Sequence, residues 1–97
     1  MPQTQRISRN NTTVTMDDTG KTVVTLHATP VVKFDPSQII LNTGGWFTAT
    51  TRTRMNQASN QFNLGYGVYQ NKGAWYVSFK GNTIPFTGHT VVLKRGN

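Results

Sequence analysis

The chain has 97 residues, enough for one hydrophobic core and too few for two domains. Ten Lys and Arg stand against three Asp and no Glu, so the formal net charge is +7 and polyanions such as nucleic acids are the expected partners. The absence of Cys excludes disulfides, thiol nucleophiles and cysteine-bound zinc, and no stretch approaches the about 20 apolar residues of a membrane-spanning helix.

The first 12 residues, MPQTQRISRNNT, are polar and carry Arg6 and Arg9. A segment with so few apolar side chains does not bury enough surface to offset the entropy of ordering it. We therefore predict a mobile basic arm over residues 1–12, followed by a single domain over residues 13–97.

Short β-branched runs follow the arm. TVTM and KTVVTLHA are joined by the turn-forming DDTG, which predicts a hairpin, and their irregular alternation indicates a bulge or a strand covered on both faces. PVVKF and IILN come next, separated by DPSQ, where a proline after an aspartate favours a turn. These segments predict four strands before the middle of the chain.

The spacing between apolar residues then changes from two to three or four, which predicts a helix over residues 50–63. Met55, Ala58 and Phe62 form a narrow apolar stripe, and Thr48 or Thr50 is a suitable N-cap. We expect the opposite face to be solvated. Its residues are Arg52, Arg54, Asn56, Gln57, Asn60 and Gln61.

Alternation with a period of two returns after the helix, in YGVYQ, AWYVSF, TIPF and HTVVLKR, with turns at NKG and KGN. Trp75, Val77 and Phe79 share one predicted core face, which leaves Tyr76 as the exposed ring. Pro85 marks an edge strand because it has no N–H to donate. The predicted fold is α+β: a small antiparallel β-sheet domain with a single central helix, in the order strands, helix, strands.

The run NTGGWFTATTRTRMNQASNQFNLGYGVYQNKGAWYV, residues 42–77, resembles a segment of small bacteriophage-encoded proteins. The resemblance implies a viral origin and expression in the cytoplasm of a host bacterium. It implies no particular activity.

The helix face is the first candidate binding surface. Arg, Asn and Gln are the side chains that pair with guanine and adenine edges, and a helix fits the major groove of DNA. No known DNA-binding motif is present, so contacts to phosphates are favoured over reading of bases, with DNA or RNA as partner. The predicted nucleic-acid-binding residues are Arg52, Arg54, Asn56, Gln57 and Asn60 on the helix, Arg6 and Arg9 on the arm, and Lys72 and Lys80 in the turns.

Two alternatives without nucleic acid remain open. The basic surface can serve solubility alone, because no run of Lys and Arg exceeds two residues. The chain can also be a protein-binding module, such as a virion component or an inhibitor of a host or phage protein, and strand addition near Pro85 would allow a homo-oligomer.

Catalysis is weakly supported by this composition. A phosphodiester site could be assembled from His27, His89 and either Lys21 or Lys33, yet any small protein with two histidines permits that combination. Asp17 and Asp18 fit a turn better than a metal pair, since a hard cation needs several further oxygen ligands. We expect a non-enzymatic protein without metal or cofactor.

Overall fold

The computed structural model describes residues 12–45 and 47–95. Within these residues, strands precede and follow one helix, which confirms the predicted α+β class. The strands are β1 (Thr12–Met16), β2 (Thr22–Leu26), β3 (Thr29–Phe34), β4 (Gln38–Asn42), β5 (Tyr66–Asn71), β6 (Ala74–Phe79), β7 (Asn82–Pro85) and β8 (Thr90–Lys94), and helix α1 (Ala49–Phe62) lies between β4 and β5.

The strands form two antiparallel sheets. The large sheet has the order β1-β2-β3-β4-β8, and the small sheet has the order β5-β6-β7. Of the predicted arm, the structure describes only Thr12, which begins β1 and is buried. The rest of the arm, including Arg6 and Arg9, lies outside the described residues, as does Trp46.

One continuous core joins both sheets and the helix. Helix α1 packs against β5, β3 and β2, with Met55 and Ala58 fully buried and Phe62 half-buried against the ring of Phe34. The predicted apolar stripe of the helix is therefore confirmed. The small sheet contributes Trp75, Val77 and Phe79 from one face of β6 to the same core.

Irregularity in the first hairpins has a specific cause. The pairing of β2 with β3 shifts between Val24 and Thr25, where Val31 is the extra residue on β3. A bulge of this kind lets both Val31 and Val32 be buried although they are adjacent in the chain. The predicted bulge or doubly covered strand is confirmed.

Both hairpins of the small sheet turn on a Lys-Gly pair. Lys72 and Gly73 connect β5 to β6, and Lys80 and Gly81 connect β6 to β7, all four with positive φ. Positive φ at both central residues defines the type I′ turn, whose twist matches that of the paired strands. The turn type fixes the register and places the two lysines at opposite ends of β6.

Asp17 and Asp35 hold the two turns at one end of the large sheet. Oδ1 of Asp17 accepts hydrogen bonds from the N–H and hydroxyl of Thr19 and from the N–H of Lys21. Oδ1 of Asp35 accepts from the N–H and hydroxyl of Ser37. These bonds, foremost those from the Thr19 and Ser37 hydroxyls, lower the pKa of both carboxyl groups below the usual value.

Helix α1 has a polar capping residue at each end. Thr48 is the N-cap, and its hydroxyl accepts a hydrogen bond from the N–H of Thr51 at 3.2 Å. Asn63 adopts the left-handed conformation at the C-cap, and its N–H bonds to the carbonyl of Ser59. A glycine is the usual left-handed residue at a helix end, but Gly65, which also has positive φ, follows the cap by two residues.

Helix α1 also covers the edge of the small sheet, because its polar side chains bond to the backbone of β5. Oδ1 of Asn56 accepts from the N–H of Val68 at 2.7 Å, and Nδ2 of Asn56 donates to the carbonyl of Val68 at 2.9 Å. The hydroxyl of Ser59 donates to the carbonyl of Tyr66 at 2.7 Å and accepts from its N–H at 3.1 Å. We call Arg52, Asn56 and Ser59, which are spaced i, i+4 and i+7, the polar stripe of the helix.

The first prediction concerns this edge. Replacing Asn56 with Ala removes both bonds to Val68, and we expect a loss of roughly 1–3 kcal/mol in the free energy of unfolding. Asn60→Ala is the matched control, since Asn60 is exposed on the same helix and gains the same helix propensity. Urea unfolding of both variants gives the comparison, and equal stabilities would mean that the Asn56 bonds contribute nothing.

The second prediction concerns the stability of the protein at low pH. Because the pKa values of Asp17 and Asp35 are lowered by folding, their contribution is complete above the unfolded value of about 3.9 and is lost as pH falls through the folded value. The melting temperature should therefore decline below about pH 4. In the double variant Asp17→Asn, Asp35→Asn, which keeps an oxygen acceptor at each turn, this decline should be smaller. A variant whose decline matched that of the parent would contradict the assignment.

Candidate nucleic-acid interface

The acidic side chains are confined to one end of the molecule. Asp17 and Asp35 form ion pairs with Lys33 at 4.0 Å and Lys21 at 3.2 Å, all at the end of the large sheet where β1 and β3 finish. After Asp35 the chain has no Asp or Glu. The helix and the small sheet therefore carry cations without any carboxylate to oppose them.

The predicted solvated helix face is wrong at two positions. Arg54 is only 9% exposed, and its Nε donates to the hydroxyl of Thr12 while its Nη1 donates to Oε1 of Gln57. Gln57 is buried with it. The Arg54 guanidinium reaches Thr12 at the start of β1, so it holds the helix to the first strand instead of facing solvent.

Asn56 is likewise occupied inside the protein by both its bonds to Val68. Asn60 and Gln61 are exposed as expected, near the C-terminal end of the helix. Among the helical candidates only Arg52, at the other end, combines charge with partial exposure. The predicted set of nucleic-acid-binding residues is thus divided between both ends of the helix and its interior.

Arg52 is held beside the end of the small sheet. Its Nη1 donates to Oε1 of Gln70 at 3.0 Å, and its guanidinium lies 5.4 Å from the centroid of the Trp75 ring. A guanidinium over an indole face is attracted by the negative face of the ring. These two contacts fix the side chain at the tip of the β5–β6 hairpin while it remains partly accessible.

Lys72 lies in the turn at that tip and is exposed. On the outer face of the same hairpin, Tyr69 pairs with Tyr76 across the strands, and their rings stack at 5.6 Å and 25°. Tyr69 is 40% exposed. We call Arg52, Tyr69, Lys72 and Tyr76 the hairpin-tip surface. Arg52 lies on the core-facing side of the hairpin over Trp75, the two tyrosine rings lie on its outer face, and Lys72 lies in the turn that joins the strands.

A shallow recess of about 430 Å³ adjoins this surface. Phe47 packs edge-on against Trp75 at 5.1 Å and against Phe86 at 6.0 Å, and it is 43% exposed. An aromatic pair such as Trp46 and Phe47 directly after a glycine run is a pattern that favours entry into the core. The described ring instead remains at the surface, where it forms one wall of the recess with Trp75 and Phe86.

Lys80 occupies the equivalent turn at the far end of β6. It is exposed, but its Nζ donates to the carbonyl of Arg95 at 2.9 Å and lies 3.5 Å from that of Lys94. Its ammonium is therefore engaged with the end of β8. A six-residue strand separates Lys80 from Lys72 by about 20 Å, so the two do not belong to one contact surface.

The histidines do not join the lysines that were considered with them. His27 is exposed in the β2–β3 turn and lines a cavity of about 490 Å³ beside the N-terminus of α1. Lys21 and Lys33 lie at the opposite end of β2 and β3. His89 packs instead near Phe47, at 6.3 Å between ring centroids. Among the described residues, no three His, Asp or Glu side chains come close enough to hold a metal ion.

Trp75, Val77 and Phe79 are buried, which confirms the predicted core face of β6. The exposure of Tyr69 was not predicted, although the alternation of strand residues implies it: Tyr69 and Tyr76 directly follow buried Val68 and Trp75 and so face the opposite side of the hairpin. Tyr69 stands directly opposite Tyr76 in the register set by the Lys-Gly turn. Counting inward from that turn would have paired them.

Comparison with known proteins identifies a viral relationship. The family model described as Kyanoviridae Gp96 protein matches residues 1–92, a wider span than the resemblance over residues 42–77. No curated protein and no solved structure matches the chain. No helix of the described residues is long and apolar enough to cross a membrane.

Proposed function

This chain belongs to the Kyanoviridae Gp96 family, a family of phage proteins, and we propose that it is a non-enzymatic accessory protein that binds nucleic acid in the cytoplasm of the infected host. The contacts are mainly to phosphates and are made by the hairpin-tip surface. Arg6 and Arg9 of the N-terminal segment add charge to the same partner. Arg54, Asn56 and Gln57 take no part, since their side chains are occupied within the fold.

The observation that supports this proposal most is the charge distribution. All three carboxylates precede residue 36, whereas the helix and small sheet present Arg52 and Lys72 unopposed. A polyanion that approaches this side meets only positive charge, which raises both its rate of association and its affinity at low salt. Phosphate contacts need charge and hydrogen-bond donors without a fixed register, and a flexible lysine in a turn supplies both.

The tyrosine pair indicates which form of nucleic acid suits the surface. Tyr69 and Tyr76 stack on one another beside the exposed turn of Lys72. An exposed ring next to a cation suits an unpaired base, which can stack while its phosphates contact the lysine. Single strands of DNA or RNA should therefore bind at least as well as duplexes at equal salt.

A second candidate function, protein binding, is favoured by a different part of the molecule. Strand β1 presents an uncharged edge with exposed apolar side chains. As a virion component or an inhibitor, the chain would use this edge and not the hairpin tip. The two functions therefore predict effects from substitutions in different sheets of the protein.

The third prediction separates the two lysine turns. Lys72→Asn removes a charge and keeps a residue suited to the left-handed position before Gly, so the turn should be preserved. We expect affinity for a labelled oligonucleotide to fall about tenfold at about 50 mM salt, and the salt dependence of log K to fall by about 0.7 on single strands or 0.9 on duplexes.

Lys80→Asn is the matched control, with the same charge change in the same kind of turn. Its effect should be clearly smaller, because the Lys80 ammonium already contacts carbonyls of β8. Equal losses in the two variants would show that only net charge matters. A wild-type protein that binds no DNA or RNA at about 50 mM salt, where the electrostatic attraction is strong, would refute the proposed function.

A further inference from the structure

The described part of the chain has four sheet edges, and three of them carry a feature that blocks further pairing. The outward backbone groups of Tyr66 and Val68 on β5 bond to the helix. On β7, Pro85 stands at an outward position and has no N–H. On β8, the outward carbonyl of Lys94 faces the ammonium of Lys80. Edge strands are commonly protected by such prolines and lysines.

The remaining edge, β1, has none of these features. Its sequence, TTVTM, is uncharged and contains neither Pro nor Gly. Because the N–H of Asp17 donates to the carbonyl of Lys21, alternation directs the N–H and C=O of Thr13 and Thr15 toward β2 and those of Val14 and Met16 away from it. Val14 and Met16 therefore offer backbone donors and acceptors at the border of the large sheet.

The side chains of the same two residues are exposed on the core-facing side of the sheet. Val14 begins a directly paired row that continues through Val24, Val32 and Leu41, all of which are fully buried. Val14 itself is 43% exposed and Met16 is 70% exposed. The end of the row is less covered because helix α1 packs mainly against β2 and β3 and reaches β1 through the bond of Arg54 to Thr12.

We propose that β1 pairs in antiparallel fashion with β1 of a second copy of this chain, about a two-fold axis. The two five-stranded sheets then form one continuous sheet across both copies. Val14 and Met16 gain backbone partners, and their side chains meet the equivalent side chains of the other copy.

Two observations favour a second copy as the occupant of this edge. Antiparallel pairing of identical strands is self-complementary, so each copy supplies the donors and acceptors that the other lacks. Two chains of charge +7 repel each other, but β1 itself carries no charge and is directly followed by Asp17 and Asp18, so the strand adds no cations to the contact. The hairpin-tip surface, in contrast, would bring unopposed cations together.

The pairing should be weak and should depend on concentration. A five-residue edge with two apolar side chains per copy falls short of the 1,200 Å² or so that stable interfaces bury in total. We therefore expect monomers in dilute solution and dimers as the concentration rises through about 0.1–1 mM.

Sedimentation of the full chain, freed of nucleic acid, tests the proposal. The average mass should rise with concentration from that of a monomer toward that of a dimer. Val14→Lys places charge at the edge of both copies and should abolish the rise, and Val14→Pro, which removes an outward N–H, should do the same. Val92→Lys is the matched control, since Val92 is a similarly exposed valine (49%) on the opposite face of the large sheet, and it should dimerise like the wild type.

Hydrogen exchange gives a second readout that also reports on folding. The amides of Val14 and Met16 should exchange more slowly as concentration rises, whereas those of Thr13 and Thr15 should be protected at every concentration. A wild-type chain that stays monomeric to about 1 mM would overturn the proposal. A dimer that persists in both Val14 variants would also overturn it. The same holds for a dimer that is lost in the Val92→Lys variant but kept in the Val14 variants, because the contact would then lie elsewhere.

Discussion

The bonds between the polar stripe of helix α1 and the edge of β5 hold the two halves of the molecule together. An edge strand leaves a row of N–H and C=O groups unpaired, and leaving such groups buried without partners costs free energy. Here Asn56 and Ser59 supply the donors and acceptors that a neighbouring strand would supply, one residue of the helix for every second residue of β5. The helix thus takes the place of a fourth strand in the small sheet.

This arrangement explains why the helix is polar and has no acid. Its apolar stripe of Met55 and Ala58 packs into the core, and its polar stripe faces β5. An asparagine offers both a donor and an acceptor, as the backbone of one residue does, whereas a carboxylate would offer acceptors alone. Arg52, at the end of the stripe, continues the contact to the side chain of Gln70 and so reaches the hairpin tip. The polar stripe of the helix therefore both covers the edge of β5 and positions Arg52 of the hairpin-tip surface.

The elements of the fold could be predicted from sequence because its turns are strongly marked. Asp17 to Gly20, Asp35 with Pro36, and the two Lys-Gly pairs separate β-branched runs, and every predicted strand is present within a residue or two. The burial of the helix residues could not be predicted in the same way. Polar side chains at helical spacing look the same in a sequence whether they face water, a nucleic acid or the edge of a strand, and Arg54 meets Thr12 across 42 positions of the chain.

Hydrogen exchange of the β5 amides tests this account most directly. The N–H groups of Tyr66, Val68 and Gln70 all face away from β6, but only those of Tyr66 and Val68 bond to the helix, through Ser59 and Asn56. Edge amides without partners exchange readily, so Gln70 serves as an internal reference. The account predicts strong protection of Tyr66 and Val68, fast exchange at Gln70, and loss of protection at Val68 in the Asn56→Ala variant. Fast exchange at all three positions in the wild-type chain would contradict it.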